Sequence, residues 1–105
     1  PGAMKLRHDE VAPGRVEASV SGELEVHSCT CLQNFWDLRL AGARQLRLDV
    51  GGIDGVDPDG LATFLERLTR QLEQGGQVEL VGAGPELCGG LRALGLDVHA
   101  GLRLG

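Results

Sequence analysis

Lysine and long apolar runs are scarce in this sequence. Lys5 is the one lysine among ten basic residues, and the formal net charge at pH 7 is -5. A nucleic-acid groove needs clustered lysine and arginine, so we expect no nucleic-acid partner. No apolar run approaches the roughly 20 residues of a membrane-spanning helix, so we expect no membrane span.

Cysteine is too rare for a disulfide framework. Three cysteines cannot all pair within one chain, and Cys29 and Cys31 are too close in sequence for an ordinary structural bridge. A reducing, cytoplasmic location is the simpler interpretation. His27, Cys29 and Cys31 include soft metal ligands, but a tetrahedral zinc site needs four ligands at better spacing. We therefore interpret the cysteines as small core residues and expect neither a metal nor a cofactor.

The composition that remains is that of one small domain. The chain has 105 residues, of which 42% are apolar and 24% charged, as in a soluble globular protein. We interpret residues 1–4, Pro-Gly-Ala-Met, as a cloning or protease remnant, and we expect a single domain over residues 5–105.

Hydrophobic periodicity alternates between strands and helices along the chain. Period-two and short apolar runs predict strands at Lys5–Val11, Arg15–Ser21, Gln45–Val50, Gln77–Val81 and Leu96–Ala100. Helical spacing predicts helices at about Ser28–Ala41, Pro58–Gln74 and Pro85–Leu94. The first two strands predict a hairpin, and the alternation that follows predicts an α/β fold. We expect a mixed four- or five-stranded sheet with helices mainly on one face.

The acidic loop before the central helix is the most informative segment. Asp57 precedes Pro58, which can occupy the first helical position without losing a hydrogen bond. Asp57 is a favoured N-cap residue, and Asp59 lies in the first turn, where the helix dipole favours an anion. These residues therefore predict a helix start, and a glycine-rich, exposed helix start is a natural docking site for a protein partner.

The order of these pieces resembles the STAS domain family, which includes anti-sigma-factor antagonists, sulfate-transporter domains, stressosome components and lipid-transport accessory proteins. The likeness covers about residues 16–98 and rests on Gly22-Glu23-Leu24, Leu48-Asp49-Val50, Asp57 to Leu61 and Gly75-Gly76. The resemblance implies a STAS-like fold without catalysis. It also implies a bacterial regulatory protein whose partner is an anti-sigma factor, a stressosome neighbour or a transporter subunit.

The resemblance also implies where the partner binds. In anti-sigma antagonists the loop reads Asp-Ser-Ser/Thr-Gly, and the first hydroxyl is phosphorylated by the partner kinase. Here Asp57 and Gly60 match, whereas Pro58 and Asp59 occupy the hydroxyl positions. Pro58, at the phosphorylation-site position, has no oxygen to modify, so we expect docking without the usual switch. The expected partner-binding residues are Glu23, Glu25, Asp54, Asp57, Pro58, Asp59, Gly60 and Leu61.

Two other kinds of site remain open from the sequence. The turn Gly82–Gly84 lies between a predicted strand and a predicted helix, as phosphate-binding loops do, although it lacks the lysine and hydroxyl of a P-loop. It makes a small-molecule or nucleotide-binding module the alternative function. Asp49 or Asp54 is the candidate acceptor in a magnesium-dependent phosphoryl-transfer domain, which would also need a lysine near the last strands.

Overall fold

A computed structural model describes residues 4–105 of the chain. Most of the expected remnant, residues 1–3, lies outside the described residues. The elements follow the order β1 (Lys5–Ala12), β2 (Arg15–Leu24), α1 (Cys29–Phe35), β3 (Gln45–Val56), α2 (Pro58–Glu73), β4 (Gln77–Val81), α3 (Pro85–Ala93) and β5 (Leu102–Leu104). A π-helical turn, Trp36–Leu40, continues α1.

The five strands form one mixed sheet in the order β1-β2-β3-β4-β5. The first two strands are antiparallel, and the remaining neighbours are parallel. This arrangement confirms the predicted hairpin and the mixed α/β sheet. The parallel strands place the starts of α2 and α3 at one end of the sheet, because both helices follow the carboxyl ends of strands.

Alternate strand residues point into one core on one face of the sheet. In β3, Leu46, Leu48 and Val50 are buried, whereas the intervening residues are exposed. The helices cover that face with buried leucines of α2 and with Trp36, which packs edge-on against Phe64 at 5.5 Å between ring centroids. Trp36 and Phe64 are both almost fully buried and fill the centre of this core.

One buried polar side chain joins the helices from within. The Trp36 Nε1–H donates to Gln71 Oε1 at 3.1 Å, and Gln71 Nε2 donates to the carbonyls of Leu40 and Ala43 at 2.9 and 3.1 Å. These bonds satisfy the buried side-chain amide of Gln71 and the carbonyls of Leu40 and Ala43. Gln71 therefore avoids the free-energy cost of an unpaired polar group. The sequence pattern had assigned only apolar residues to this face of α2.

Three sequence predictions of element bounds are wrong. Gly22, expected to end the second strand, lies within β2 with φ 94°, and the strand continues to Leu24 across irregular pairing. The third strand runs on to Val56, because Gly52–Val56 pairs with Ser21–Leu24. Leu96–Val98 is a 3₁₀ turn, and β5 starts only at Leu102, where the chain reaches β4.

The interpretation of the cysteines as core residues is also wrong. Cys31 is exposed, and Cys29 and Cys88 are partly buried. Cys29 instead lies between α1 and the start of α2, where its Sγ accepts a hydrogen bond from Thr63 Oγ1 at 3.1 Å. Cys29 is only partly buried, because the first turn of α1 lies at the rim of the core.

Candidate functional site

The end of β2 and the end of β3 bring the predicted site residues together. Glu23 pairs with Gly55 and Leu24 with Val56, so the segments 23–25 and 54–57 run side by side. The Asp57 N–H donates to the Leu24 carbonyl at 3.0 Å and continues the pairing to the start of α2. Residues more than 30 positions apart in the sequence thus form one surface, as the resemblance implied.

Asp57 is the residue that joins the two segments. Its Oδ1 accepts from the Gly60 N–H at 2.7 Å, which is the predicted N-cap of α2, and its Oδ2 accepts from the Val26 N–H at 3.0 Å. The hydrogen bond from Gly60, and then that from Val26, lowers the pKa of the Asp57 carboxyl, because both favour the ionised form. Each oxygen of the Asp57 carboxylate therefore accepts a hydrogen bond from a backbone N–H of its own chain.

Gly60 allows α2 to approach the end of β2 closely. A Cβ at this position would lie 2.2 Å from the Leu24 carbonyl oxygen and 2.7 Å from the Glu25 nitrogen. Gly60 is itself buried. The sequence analysis counted Gly60 among the expected partner-binding residues, whereas the close approach observed is made by the chain's own β2.

Pro58 and Asp59 stand outside these internal contacts. Both side chains are exposed, and the Asp59 carboxylate has no hydrogen bond or ion pair with any residue in the range 4–105. Asp54 is exposed in β3, where the sequence predicted a loop, and its carboxylate is equally free of partners among the described residues. Leu61 is partly buried and packs on the core beside Gly90 of α3.

The turn after β2 contributes residues that the sequence analysis missed. Val26 is 51% exposed although it is apolar, and it lies directly beside the Asp57 carboxylate that its N–H binds. Ser28 fixes this turn, since its Oγ donates to the Glu23 carbonyl at 2.9 Å and accepts from the Glu25 N–H at 3.0 Å. A serine three residues after Glu25 resembles a helix-capping pattern, which was the available signal.

The acidic side chains around this junction form a surface of one sign. Glu23, Glu25 and Asp59 have no basic partner within 4.0 Å among residues 4–105. No group of three or more His, Cys, Asp or Glu in that range is placed to hold a metal ion. We name this surface the acidic surface and define it as Glu23, Glu25, Val26, Asp54, Pro58 and Asp59.

In the two other candidate sites, Gly82 and Asp49 make contacts within the chain. Gly82, at φ 78°, lies so close to β3 that a Cβ would be 2.8 Å from the Gly51 Cα, so the glycine turn is packed against a neighbouring strand. Asp49 is inside β3 and accepts from the Gly51 N–H at 2.9 Å. Lys5 lies on β1, separated from β3 by β2, whereas a phosphoryl acceptor would need a lysine beside it.

The family comparison agrees with this geometry. The STAS family described as "Mlab, STAS domain" matches residues 10–104. The chain belongs to this STAS family. No curated protein matches the chain.

Solved structures of anti-sigma factor antagonists share this STAS fold. The unphosphorylated form of SpoIIAA has a TM-score of 0.68 at 14% identity, with 96% of this chain and 88% of that chain covered. The phosphorylated form of SpoIIAA from Bacillus has a TM-score of 0.66 at 14% identity, with 96% and 91% covered. An antagonist from Mycobacterium paratuberculosis has a TM-score of 0.70 at 20% identity, with 98% and 87% covered.

These identities are low, so the likeness establishes the fold rather than a shared partner. The predicted STAS-like architecture is confirmed. Within residues 4–105, no helix is both long enough and apolar enough to cross a membrane.

Proposed function

We propose that this STAS domain is a non-catalytic protein-interaction module that docks a partner through the acidic surface. One observation carries the proposal, namely the division between Asp57 and Asp59. The Asp57 carboxylate is bound by two N–H groups of its own chain, whereas the Asp59 carboxylate two residues later is exposed and unpaired within residues 4–105. The first carboxylate builds the helix start, and the second is available to a partner.

The chemistry of the surface indicates a basic partner. Its four acidic side chains give it one sign of charge, and the exposed Val26 supplies an apolar contact beside them. Complementary charge accelerates association and rejects wrong partners, while an apolar contact at the centre supplies affinity. We infer a protein partner with arginine or lysine around a small apolar pocket, which by family resemblance is a cytoplasmic anti-sigma factor, stressosome neighbour or transporter subunit.

The docking that we propose is constitutive rather than switched at residue 58. SpoIIAA exists in unphosphorylated and phosphorylated forms. Pro58 has no hydroxyl, so this chain cannot carry a phosphate ester there, and Asp59 gives the position after it a permanent charge. A carboxylate has one negative charge, against about 1.5 to 2 for a phosphate at neutral pH. Asp59 therefore supplies a fixed negative charge that is smaller than that of a phosphate.

A matched pair of charge reversals tests this function. The immobilised chain and its Asp59→Lys and Glu73→Lys variants are incubated with extract of the native cells, and bound proteins are quantified by mass spectrometry. Glu73 is also exposed and lies at the other end of α2, so its reversal controls for net charge. Partner proteins should be retained equally by the wild type and by Glu73→Lys. Asp59→Lys should retain them at least about tenfold less, because charge pairs across an interface contribute kcal/mol to the binding free energy. Equal retention by all three would refute docking at this surface.

A thermal melt of each variant accompanies the capture. Lysine in the first turn of α2 opposes the helix dipole, so Asp59→Lys should lose a little stability, about 0.3–1 kcal/mol. The domain remains folded at the capture temperature if that expectation holds. Calorimetry of the wild type with nucleotides tests the alternative function, and saturable binding that Gly84→Asp removes would favour the glycine turn over the acidic surface.

A further inference from the structure

The outer edge of β1 is a long, unpaired strand edge. β1 has eight residues and is the first strand of the sheet order, so its outer side has no neighbouring strand among residues 4–105. Six of its eight residues are exposed. An edge of this length presents a row of free backbone N–H and C=O groups and is a template for pairing with another strand.

This edge carries charges that its own sheet leaves uncompensated. Asp9 lies directly opposite Glu17 of β2, and like charges at opposed positions destabilise a sheet. Arg7 lies opposite Ser19, two residues away on the same face. None of these three charged side chains has an ion pair within 4.0 Å in the described part of the chain. Glu17 has Arg47 of β3 opposite it on its other side, but the ion pair of Arg47 is with Glu79 at 3.5 Å. Asp9 therefore has no cation opposite it in its own sheet, and Arg7 has no anion.

We propose that β1 pairs antiparallel with β1 of a second copy of this chain, around a two-fold axis through His8. In that register Arg7 lies opposite the partner's Asp9, and Asp9 lies opposite the partner's Arg7. The Arg7 side chain of each copy then lies beside the Asp9–Glu17 pair of the other copy and supplies the cation that Asp9 lacks. Antiparallel neighbours at opposed positions have Cβ atoms about 5 Å apart, so each arginine can contact the carboxylate.

The charge sequence of the strand selects this register. A two-fold axis through Arg7 would oppose two arginines, and an axis through Asp9 would oppose two aspartates, which is unfavourable in both cases. Charged residues on an edge normally prevent indiscriminate strand pairing. Of these three axes, the one through His8 opposes no like charges and opposes Arg7 to Asp9 in both directions. The edge therefore rejects most strands and accepts its own copy.

A charge-swap series tests the dimer by sedimentation velocity over a range of protein concentrations. The wild type should approach twice the 11.1 kDa of one chain as its concentration rises. Arg7→Asp and Asp9→Arg should each weaken association at least about tenfold, because each replaces two attractive pairs with two repulsive ones. The double variant Arg7→Asp/Asp9→Arg restores opposed charges and should restore the dimer. Arg103→Asp, on β5 at the other edge of the sheet, is the control and should dimerise like the wild type.

Hydrogen exchange at 4–12 provides the second measurement. Protection of β1 amides should rise with concentration in the wild type and in the double variant, but not in the single variants. A wild type that stays monomeric at millimolar concentration would overturn the proposal. So would a dimer that both single variants retain, or a double variant that is folded by circular dichroism but monomeric.

Discussion

Two strand-to-helix junctions lie at the same end of this sheet, and they begin alike in sequence but are held differently. Both α2 and α3 have proline at the first helical position. The junction before α2 has a side-chain cap, Asp57, that also binds the turn after β2. The junction before α3 has Gly84 at the cap position and no side-chain cap bond. Asp57 ties α2 to a neighbouring strand end, whereas the start of α3 has no such tie.

The second junction is fixed two residues before its cap position, by backbone packing. Gly82 adopts a positive φ and touches Gly51, so the glycine-rich turn is filled by β3. A similar sequence is therefore held by a side-chain cap in one case and by backbone packing in the other. Both junctions leave an exposed acidic residue in the first helical turn, Asp59 in α2 and Glu86 in α3, so the difference lies in the cap: only the first junction has a cap side chain, which also binds the turn after β2.

Gly60→Ala should have the largest effect, because it breaks the first junction. The added Cβ would lie 2.2 Å from a backbone carbonyl oxygen that cannot move independently of β2. We expect a loss of about 3 kcal/mol in the free energy of unfolding, measured by urea denaturation, since overpacking costs about this much where the neighbour is rigid. Gly55→Ala is the control, since its Cβ would have an ordinary 3.8 Å contact with Glu23. Equal losses for the two variants would argue against the close approach.

Gly82→Ala should break the second junction by a smaller amount. The substitution places a side chain at φ 78° and a Cβ 2.8 Å from the Gly51 Cα. A left-handed residue with a side chain costs about 1–3 kcal/mol, and the contact adds to that cost. Gly84→Ala, where φ is -78° and a Cβ would meet open space, should cost less than about 1 kcal/mol. If the two substitutions proved equal in urea denaturation, the Gly51–Gly82 contact would not hold the turn.

Acid should weaken the first junction and leave the second unaffected. The pKa of Asp57 is lowered in the folded state by the Gly60 and Val26 N–H groups, so ionisation of this carboxyl stabilises the fold. That stabilisation is complete above the ordinary aspartate pKa of about 3.9 and is lost as pH falls through the lower, folded-state value. We expect Asp57→Asn to be less stable than the wild type at pH 6, with the difference shrinking below pH 4. A difference in melting temperature that stays constant from pH 6 to pH 2 would contradict this assignment.

Gly84→Asp should have the smallest effect and should make the second junction resemble the first. Gly84 has extended backbone angles, as an N-cap residue does, so an aspartate there can accept from the first-turn N–H groups. We expect the free energy of unfolding of Gly84→Asp to exceed that of Gly84→Ala by about 1 kcal/mol. It should exceed that of the wild type by a few tenths of a kcal/mol. Urea denaturation measures both differences. If aspartate is no better than alanine, the first-turn N–H groups of α3 are already satisfied.

The sequence predicted the parts of the fold that depend on local pattern. The first four strand runs and the apolar face of α2 follow from periodicity, because side chains alternate on a strand and recur every 3.6 residues on a helix. The fifth predicted strand was misplaced, since Leu96–Val98 is a 3₁₀ turn. The cap at Asp57 was equally local, since it involves residues three positions apart. The extension of β3 to Val56 was missed because glycines carry no side-chain pattern, and only pairing with the end of β2 makes them a strand.

The sequence named the acidic residues of the candidate site, but not Val26 and not the different roles of the carboxylates. The sequence singled out the carboxylates between Glu23 and Asp59, but the bond from Asp57 to the Val26 N–H joins residues 31 positions apart. The internal use of Gly60 likewise depends on where β2 ends relative to α2. Gln71 had no signal at all, because its partners lie on another helix.

The sequence by itself determined the alternation of strands and helices, the capped start of α2 and the absence of a modifiable oxygen at Pro58, because each depends on residues within one helical turn or one strand. The tertiary structure alone decided which carboxylate is occupied and which is free, which glycine turn is filled, and which strand edge is open. These depend on register and on close approach between distant segments, which a one-residue shift in strand pairing would change completely.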